Sequence, residues 1–171
     1  MPVLVVRDRK SRALFTHLVP SKGVVHFYPE QALCRDTKFF GYPSVMIKSD
    51  EEPSIKAVGA AVKNVFAQSN VRVQLEHSPK GDHHRMSNGE AEAAVEITQG
   101  CCRTYKEACE TGLGKAIDPN SPMLEWLIEH AGSMYTLHAH NESIIDGLTP
   151  FRRLKCRDWS VTLPPWGETV D

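Results

Sequence analysis

Asp50 and Glu92 are the two acids whose positions could support chemistry. Asp50 closes the apolar run Ser44-Val45-Met46-Ile47-Lys48-Ser49 and precedes Glu51-Glu52-Pro53, where a strand feeds a helix. Glu92 lies in the first turns of a long helical stretch behind the polar segment 77–86. In an open α/β sheet, ligands bind outside the carboxyl ends of the strands, and those are the places from which such side chains reach them. Hard oxygen donors converging from separate elements suit Mg2+ or Mn2+. In phosphoryl transfer, two such ions about 3.5–4 Å apart activate the attacking oxygen and stabilise the leaving one. Each acid also has an ordinary reading, as a helix cap for Asp50 and as a solvated helix face for Glu92.

Other groups carry weaker signals. His77, His83 and His84, with Asp82, share the loop before Glu92 and could hold a metal, although a polar loop beside an active site has the same composition. Lys80 and Arg85 flank the tip of that loop. Arg152-Arg153-Leu154-Lys155-Cys156-Arg157 is the densest basic patch, which a solvated helix end also explains. His138 and His140 end a helix, where cations offset the dipole. The five cysteines (Cys34, Cys101, Cys102, Cys109 and Cys156) are odd in number and contain no C-x-x-C pair, so neither a disulfide framework nor a structural zinc site is expected.

The elements that must position these residues follow from periodicity. Alternating or β-branched runs at 3–7 and 13–20, separated by charged residues, predict a β-hairpin. Residues 29–40 have near-helical apolar spacing and stop at Gly41-Tyr42-Pro43. A buried strand is expected at 44–48, and a helix opening at Asp50-Glu51-Glu52-Pro53 should bury Ile55, Val58, Val62, Val65 and Phe66. An alternating strand follows at 71–75. The helix after the loop should begin near Ser87-Asn88 and bury Ala91, Val95, Thr98, Cys102, Tyr105 and Cys109. A further helix starts at Ser121-Pro122 with an apolar face of Leu124, Leu127, Ile128, Ala131, Met134 and Tyr135. The order is that of an α/β fold.

With 171 residues, 41% apolar and 24% charged, the composition excludes collagen, coiled coil and wholesale disorder. Twenty Lys and Arg against 21 Asp and Glu give a net charge of −1, so any affinity for nucleic acid must come from local patches. No apolar run is long enough to span a membrane, and the amino end lacks a signal-peptide core, so an intracellular protein, nuclear or cytoplasmic, with no membrane partner is expected.

Four blocks in order resemble the integrase catalytic core of retroelement Pol polyproteins, in the retroviral-integrase superfamily with a ribonuclease H-like fold. They are Leu4-Val5-Val6-Arg7-Asp8-Arg9-Lys10-Ser11-Arg12, Val45-Met46-Ile47-Lys48-Ser49-Asp50-Glu51-Glu52-Pro53, Ser78-Pro79 through Ser87-Asn88-Gly89-Glu90-Ala91-Glu92, and Gly147-Leu148-Thr149-Pro150-Phe151. The resemblance implies a ribonuclease H-like mixed sheet flanked by helices, with an integrase-like domain over 1–155 and an irregular tail over 156–171. It makes Asp50 and Glu92, but not Glu90, catalytic residues and Mg2+ (or Mn2+) ligands. It places Lys80, Arg85, Arg152 and Arg153 on a surface that meets DNA weakly and without sequence preference.

The departure is at the amino end. In the family the block resembling Leu4 to Arg12 is the second strand with its turn into the third, so the first, central strand and its catalytic Asp have no counterpart in these residues. Asp8 reads as a turn residue in Asp-x-x-Ser, or else as a substitute for the missing acid. Glu96 and Gln99 stand where the family favours lysines on the helix, which argues for weakened DNA binding. The expected function is thus that of an integrase fragment whose ancestral reaction is metal-dependent 3′-end processing and strand transfer. Catalysis should be impaired, and the exposed sheet edges should favour self-association. A ribonuclease H-type nuclease and a non-catalytic interaction module are the alternatives.

Overall fold

The first charged run turns the chain through Asp8. Its carboxylate accepts from the Lys10 and Ser11 backbone N–H groups at 3.3 and 2.8 Å and from the Ser11 hydroxyl at 2.5 Å. The turn joins β1 (Val3–Arg7) and β2 (Leu14–Leu18) into the expected hairpin, closed by Asp8 N–H to Ala13 O at 2.9 Å and Val19 N–H to Pro2 O at 3.0 Å. This computed structural model describes residues 1–77, 84–140, 146–161 and 166–167, and the side chains of 84–88 lie outside the description.

The chain divides into two compact units, Met1–Val6 with His17–Ala93, and Arg7–Thr16 with Ala94–Asp171. In the first, α1 (Tyr28–Phe40) carries a proline at the start of its first turn and ends at Gly41, whose φ of 72° is open to glycine without strain. Next come β3 (Ser44–Ser49), α2 (Pro53–Phe66) and β4 (Arg72–His77). β3 and β4 pair in parallel from Ser44↔Arg72 to Ser49↔His77. Parallel neighbours need a crossover of a dozen residues or so, and α2 supplies it.

The core of this unit is Leu33 and Cys34 from α1, Val58, Val62 and Phe66 from α2, and Val73 from β4, with Val6, Ile47 and Leu75 packed on it. The buried face of α2 is turned slightly from the expected one. Val65 is 56% exposed, and Gly59 is buried in its place. The reason is close approach: a Cβ at Gly59 would stand 3.3 Å from Leu75 Cδ2, so the helix lies against β4 where it has no side chain.

α3 (His84–Leu113) belongs to the first unit up to Ala93 and to the second from Ala94, and within the second it meets α4 (Met123–His138) through an edge-to-face contact of Tyr105 and His130, 5.3 Å between centroids. α3 begins earlier than expected, and its buried line runs through Ala94 and Thr98. Ala91 and Val95, expected inside, are exposed. The misreading is an angular one: apolar residues on both sides of Ala94 fit a helical period equally well, and only the packing partner selects between them. α4 buries Leu127, Ala131, Gly132 and Thr136. Thr136 Oγ1 accepts from Leu14 N–H at 2.8 Å and donates to Leu14 O at 2.7 Å, while the Thr16 hydroxyl donates to Ile128 O. The two bonds from Thr136 occupy the Leu14 backbone of β2. α5 (Pro150–Lys155) is capped by Thr149, whose hydroxyl accepts from Arg152 N–H, and Trp159 meets Phe151 edge to face.

The expected strand and helix order is therefore present in an α/β fold, but its strands form two separate two-stranded sheets, β1-β2 and β3-β4. Among the described residues no helix is long and apolar enough to cross a membrane.

The contact at Gly132 yields a test of this packing. A Cβ there would fall 2.5 Å from Thr16 Oγ1 and 3.0 Å from Thr16 N, and the strand backbone cannot rotate away. Gly132→Ala should destabilise by about 1–3 kcal/mol. Gly112→Ala, on α3 with nothing within 4 Å of the new methyl group, should stabilise by about 0.5–1 kcal/mol. Urea denaturation of the two variants reads the difference, and equal effects would mean that α4 does not seat on β2 in this way.

Candidate active site

β3 delivers Asp50 to the carboxyl end of the parallel pair. The residue is exposed, and its Oδ1 accepts the Glu52 backbone N–H at 3.2 Å; α2 starts at Pro53 with Glu52, not Asp50, as its N-cap residue and no side-chain cap bond. At the same end Ser49 Oγ lies 3.3 Å from His77 Nδ1, across the last register pair of the strands. Glu92 is exposed on α3 in the same compact unit.

Lys22 is a member of this end that no sequence motif signals. Gly23, at φ 86°, turns the chain after β2 so that its Cα lies against Ser54, with a virtual Cβ 3.8 Å from Ser54 Cβ. Lys22 Nζ then sits 2.9 Å from Glu52 Oε1, and Ser54 Oγ donates to the same oxygen at 2.8 Å. The hydrogen bond from Lys22, followed by that from Ser54, holds the Glu52 carboxyl below its usual range. Lys22 is raised in turn, by Glu52 first and with a smaller contribution from Asp50. Glu51 lies 3.7 Å from Lys56, and Lys48 pairs with Glu76 at 3.0 Å. Both glutamates after Asp50 are therefore engaged with lysines, and among the described residues the Asp50 carboxylate has a single backbone donor.

Asp50 and Glu92 each carry hard oxygen donors of the kind a divalent ion takes, and both are exposed. Among the described residues no group of three or more His, Cys, Asp or Glu side chains gathers as a metal cluster. Asp8, the alternative third acid, spends its carboxylate on the hairpin turn. Lys80, Asp82 and His83 lie outside the described residues, as do the side chains of His84 and Arg85.

The basic end of α5 is placed differently from a bare phosphate contact. Arg152 Nη1 donates to both oxygens of Asp158 at 3.1 and 2.9 Å. Arg153 forms a fork on Asp146, Nε to Oδ2 at 2.9 Å and Nη2 to Oδ1 at 2.5 Å, and reaches Ser11 O with Nη1 at 3.2 Å. A phosphate would have to displace a carboxylate from each guanidinium. Asp146 lies before the Thr149 cap of α5, outside the helix, so helical spacing does not signal this fork.

Nor does spacing signal the pair of His17 on β2 with Asp36 on α1, buried at 8% and 4% exposure, with Nε2 to Oδ2 at 2.8 Å. It ties the hairpin to α1, a structural role. Burial raises the thiols of Cys34, Cys101 and Cys102, which disfavours the reactive thiolate.

The Arg153 fork generates a pH prediction. Arg153 first, then the Leu148 N–H, lowers the Asp146 carboxyl from 3.8 to about 2. A folded value below the unfolded one gives stability that is complete above about pH 4 and is lost as pH falls through about 2. Melting temperatures measured across that window should fall more steeply for the parent chain than for Asp146→Asn. Parallel curves would show that the fork contributes nothing to the fold. Set beside known proteins, the chain matches no family model, and no curated protein matches it significantly.

Proposed function

We propose that the chain is an integrase-core module of a retroelement, with a ribonuclease H-like sheet that lacks its central strand. One observation carries the reading. The described strands form a hairpin, β1-β2, and a parallel pair, β3-β4, crossed over by α2, in two separate sheets, and this supports the reading because a mixed sheet without its central strand would leave two such pairs. Val6 of β1 and Ile47 of β3 pack on one hydrophobic cluster, although their strands do not hydrogen-bond. Asp50 after β3 and Glu92 on the helix after β4 stand in the expected elements.

In this reading Asp50 and Glu92 hold Mg2+ or Mn2+, which supplies charge neutralisation for a phosphodiester under attack. Lys22 adds positive charge at the same end while keeping Glu52 occupied. The set is one acid short, and metal-clamp catalysis loses orders of magnitude in rate for displacements of about 1 Å. The chain therefore binds an ion but does not transfer strands, and DNA contact is weak and non-specific. The open edges of β1 and β3 favour pairing between copies. The engagement of Arg152 and Arg153 with carboxylates keeps the second reading, a non-catalytic interaction module, in play.

Mn2+ titration followed by water-proton relaxation should detect a site that Asp50→Asn and Glu92→Gln each weaken by about tenfold or more. A strand-transfer assay on the chain as it stands should give no product. Metal binding indifferent to both substitutions removes Asp50 and Glu92 as ligands. Turnover abolished by Asp8→Asn would make Asp8 the third ligand and overturn the account of the sheet.

A further inference from the structure

The amino ends of β3 and β4 carry a second charged feature, at the opposite end of the strands from Asp50. Arg72 opens β4 opposite Ser44, and Lys63 lies in the last turn of α2. Both line an open depression of about 600 Å³ together with Ser44, Ser69 and Asn70, over an apolar floor that includes Phe66. No acidic residue lines it. Many lysines and arginines of the chain face carboxylates, as at Lys22, Lys48, Lys106, Arg152 and Arg153. The side chains of Lys63 and Arg72 enter no such pair, nor any hydrogen bond, among the described residues.

The carboxyl end of a helix ordinarily repels anions through its bare carbonyls. Here much of that negative end is already satisfied. Asn64 O accepts Ala67 N–H at 3.2 Å, and Phe66 O accepts both Ser69 N–H at 3.0 Å and Ser69 Oγ at 2.9 Å. Those two carbonyls face local donors, and Lys63 and Arg72 are the charged residues of the lining. A guanidinium offers a planar fork matched to two phosphate oxygens, and an ammonium adds a mobile point charge.

We propose that this depression is a contact for the sugar–phosphate backbone of a nucleic acid, with Arg72 and Lys63 as its phosphate-binding cations. The five polar lining residues named above are all exposed, so the surface cannot enclose the large fraction of a small ligand that a small-molecule pocket buries. A phosphate carried on a long polymer needs no enclosure. The choice of nucleic acid as the carrier rests on the function proposed above, but the contact uses neither Asp50, about 20 Å away along β3, nor Glu92.

The test is the salt dependence of binding to a short labelled duplex, followed by fluorescence anisotropy between about 50 and 200 mM KCl. Two phosphate contacts contribute a slope of about −1.8 to log K against log salt, so Lys63→Gln with Arg72→Gln should flatten the slope by about that amount. Lys63→Arg with Arg72→Lys, which retains both charges, should restore most of it. Asp50→Asn with Glu92→Gln should leave the loss caused by the Gln pair intact, which separates this contact from the metal reading. An unchanged slope in the Gln double variant overturns the proposal. So does a result in which inorganic phosphate saturates Lys63 and Arg72 in chemical-shift titrations while the duplex leaves them unmoved, since that would be a site for a free phosphate compound.

Discussion

The close seating of α2 on β4 is the constraint from which both ends of the parallel pair follow. Gly59 lets the helix come down on Leu75, and Val58, Val62 and Phe66 then share one core with Val73. Full burial of each such side chain contributes about 1.5–3 kcal/mol. With the crossover held there, β3 and β4 run in the same direction and in fixed register. Parallel direction gathers like ends: Ser49 beside His77, with Asp50 following, at one end, and Ser44 beside Arg72 at the other. An acidic end and a basic end on one small sheet are consequences of that single geometry.

Edge satisfaction separates the remaining strands. β2 presents Leu14 to Thr136, whose hydroxyl both accepts from and donates to the strand backbone. β1 and β3 have no comparable partner strand on their second sides among the described residues, and each also carries an apolar side chain on an uncovered face. Met46 is 58% exposed and Val3 40% exposed, on runs whose composition suits a covered sheet. The backbone can satisfy these edges only with water or with another extended segment. A near-neutral chain has little net repulsion to oppose such pairing, so local geometry decides it.

Charge pairing in this molecule is largely a short-range affair with functional consequences. Glu52 and Glu51 are engaged by Lys22 and Lys56, which leaves Asp50 as the available acid of its turn. Asp158 and Asp146 engage Arg152 and Arg153, which makes a basic hexapeptide far less electropositive than its composition suggests. The exposed pairs contribute little stability, about 0–1 kcal/mol each. Their larger effect is on which charges remain for a ligand.

Much of the element order was legible in the residues themselves. The hairpin around Asp8, the helix stop at Gly41, the alternation before His77 and the proline-led start of α2 are encoded by local backbone preferences, which act over a few residues and need no partner. The positions of Asp50 after a strand and Glu92 on a helix follow from the same local rules. What lay beyond the sequence is whatever depends on a second element: the rotation of α3 that buries Ala94 and exposes Ala91, the replacement of Val65 by Gly59 on the face of α2, the buried contact of His17 with Asp36, the approach of Lys22 to Glu52, and the fork of Arg153 on Asp146. Periodicity states that a face exists, but the neighbour it packs against sets its angle, and charged side chains choose partners by distance through space. Only the tertiary structure decided that the strands form two separate two-stranded sheets, because hydrogen bonding between strands joins residues far apart in the chain and leaves no trace in either one alone.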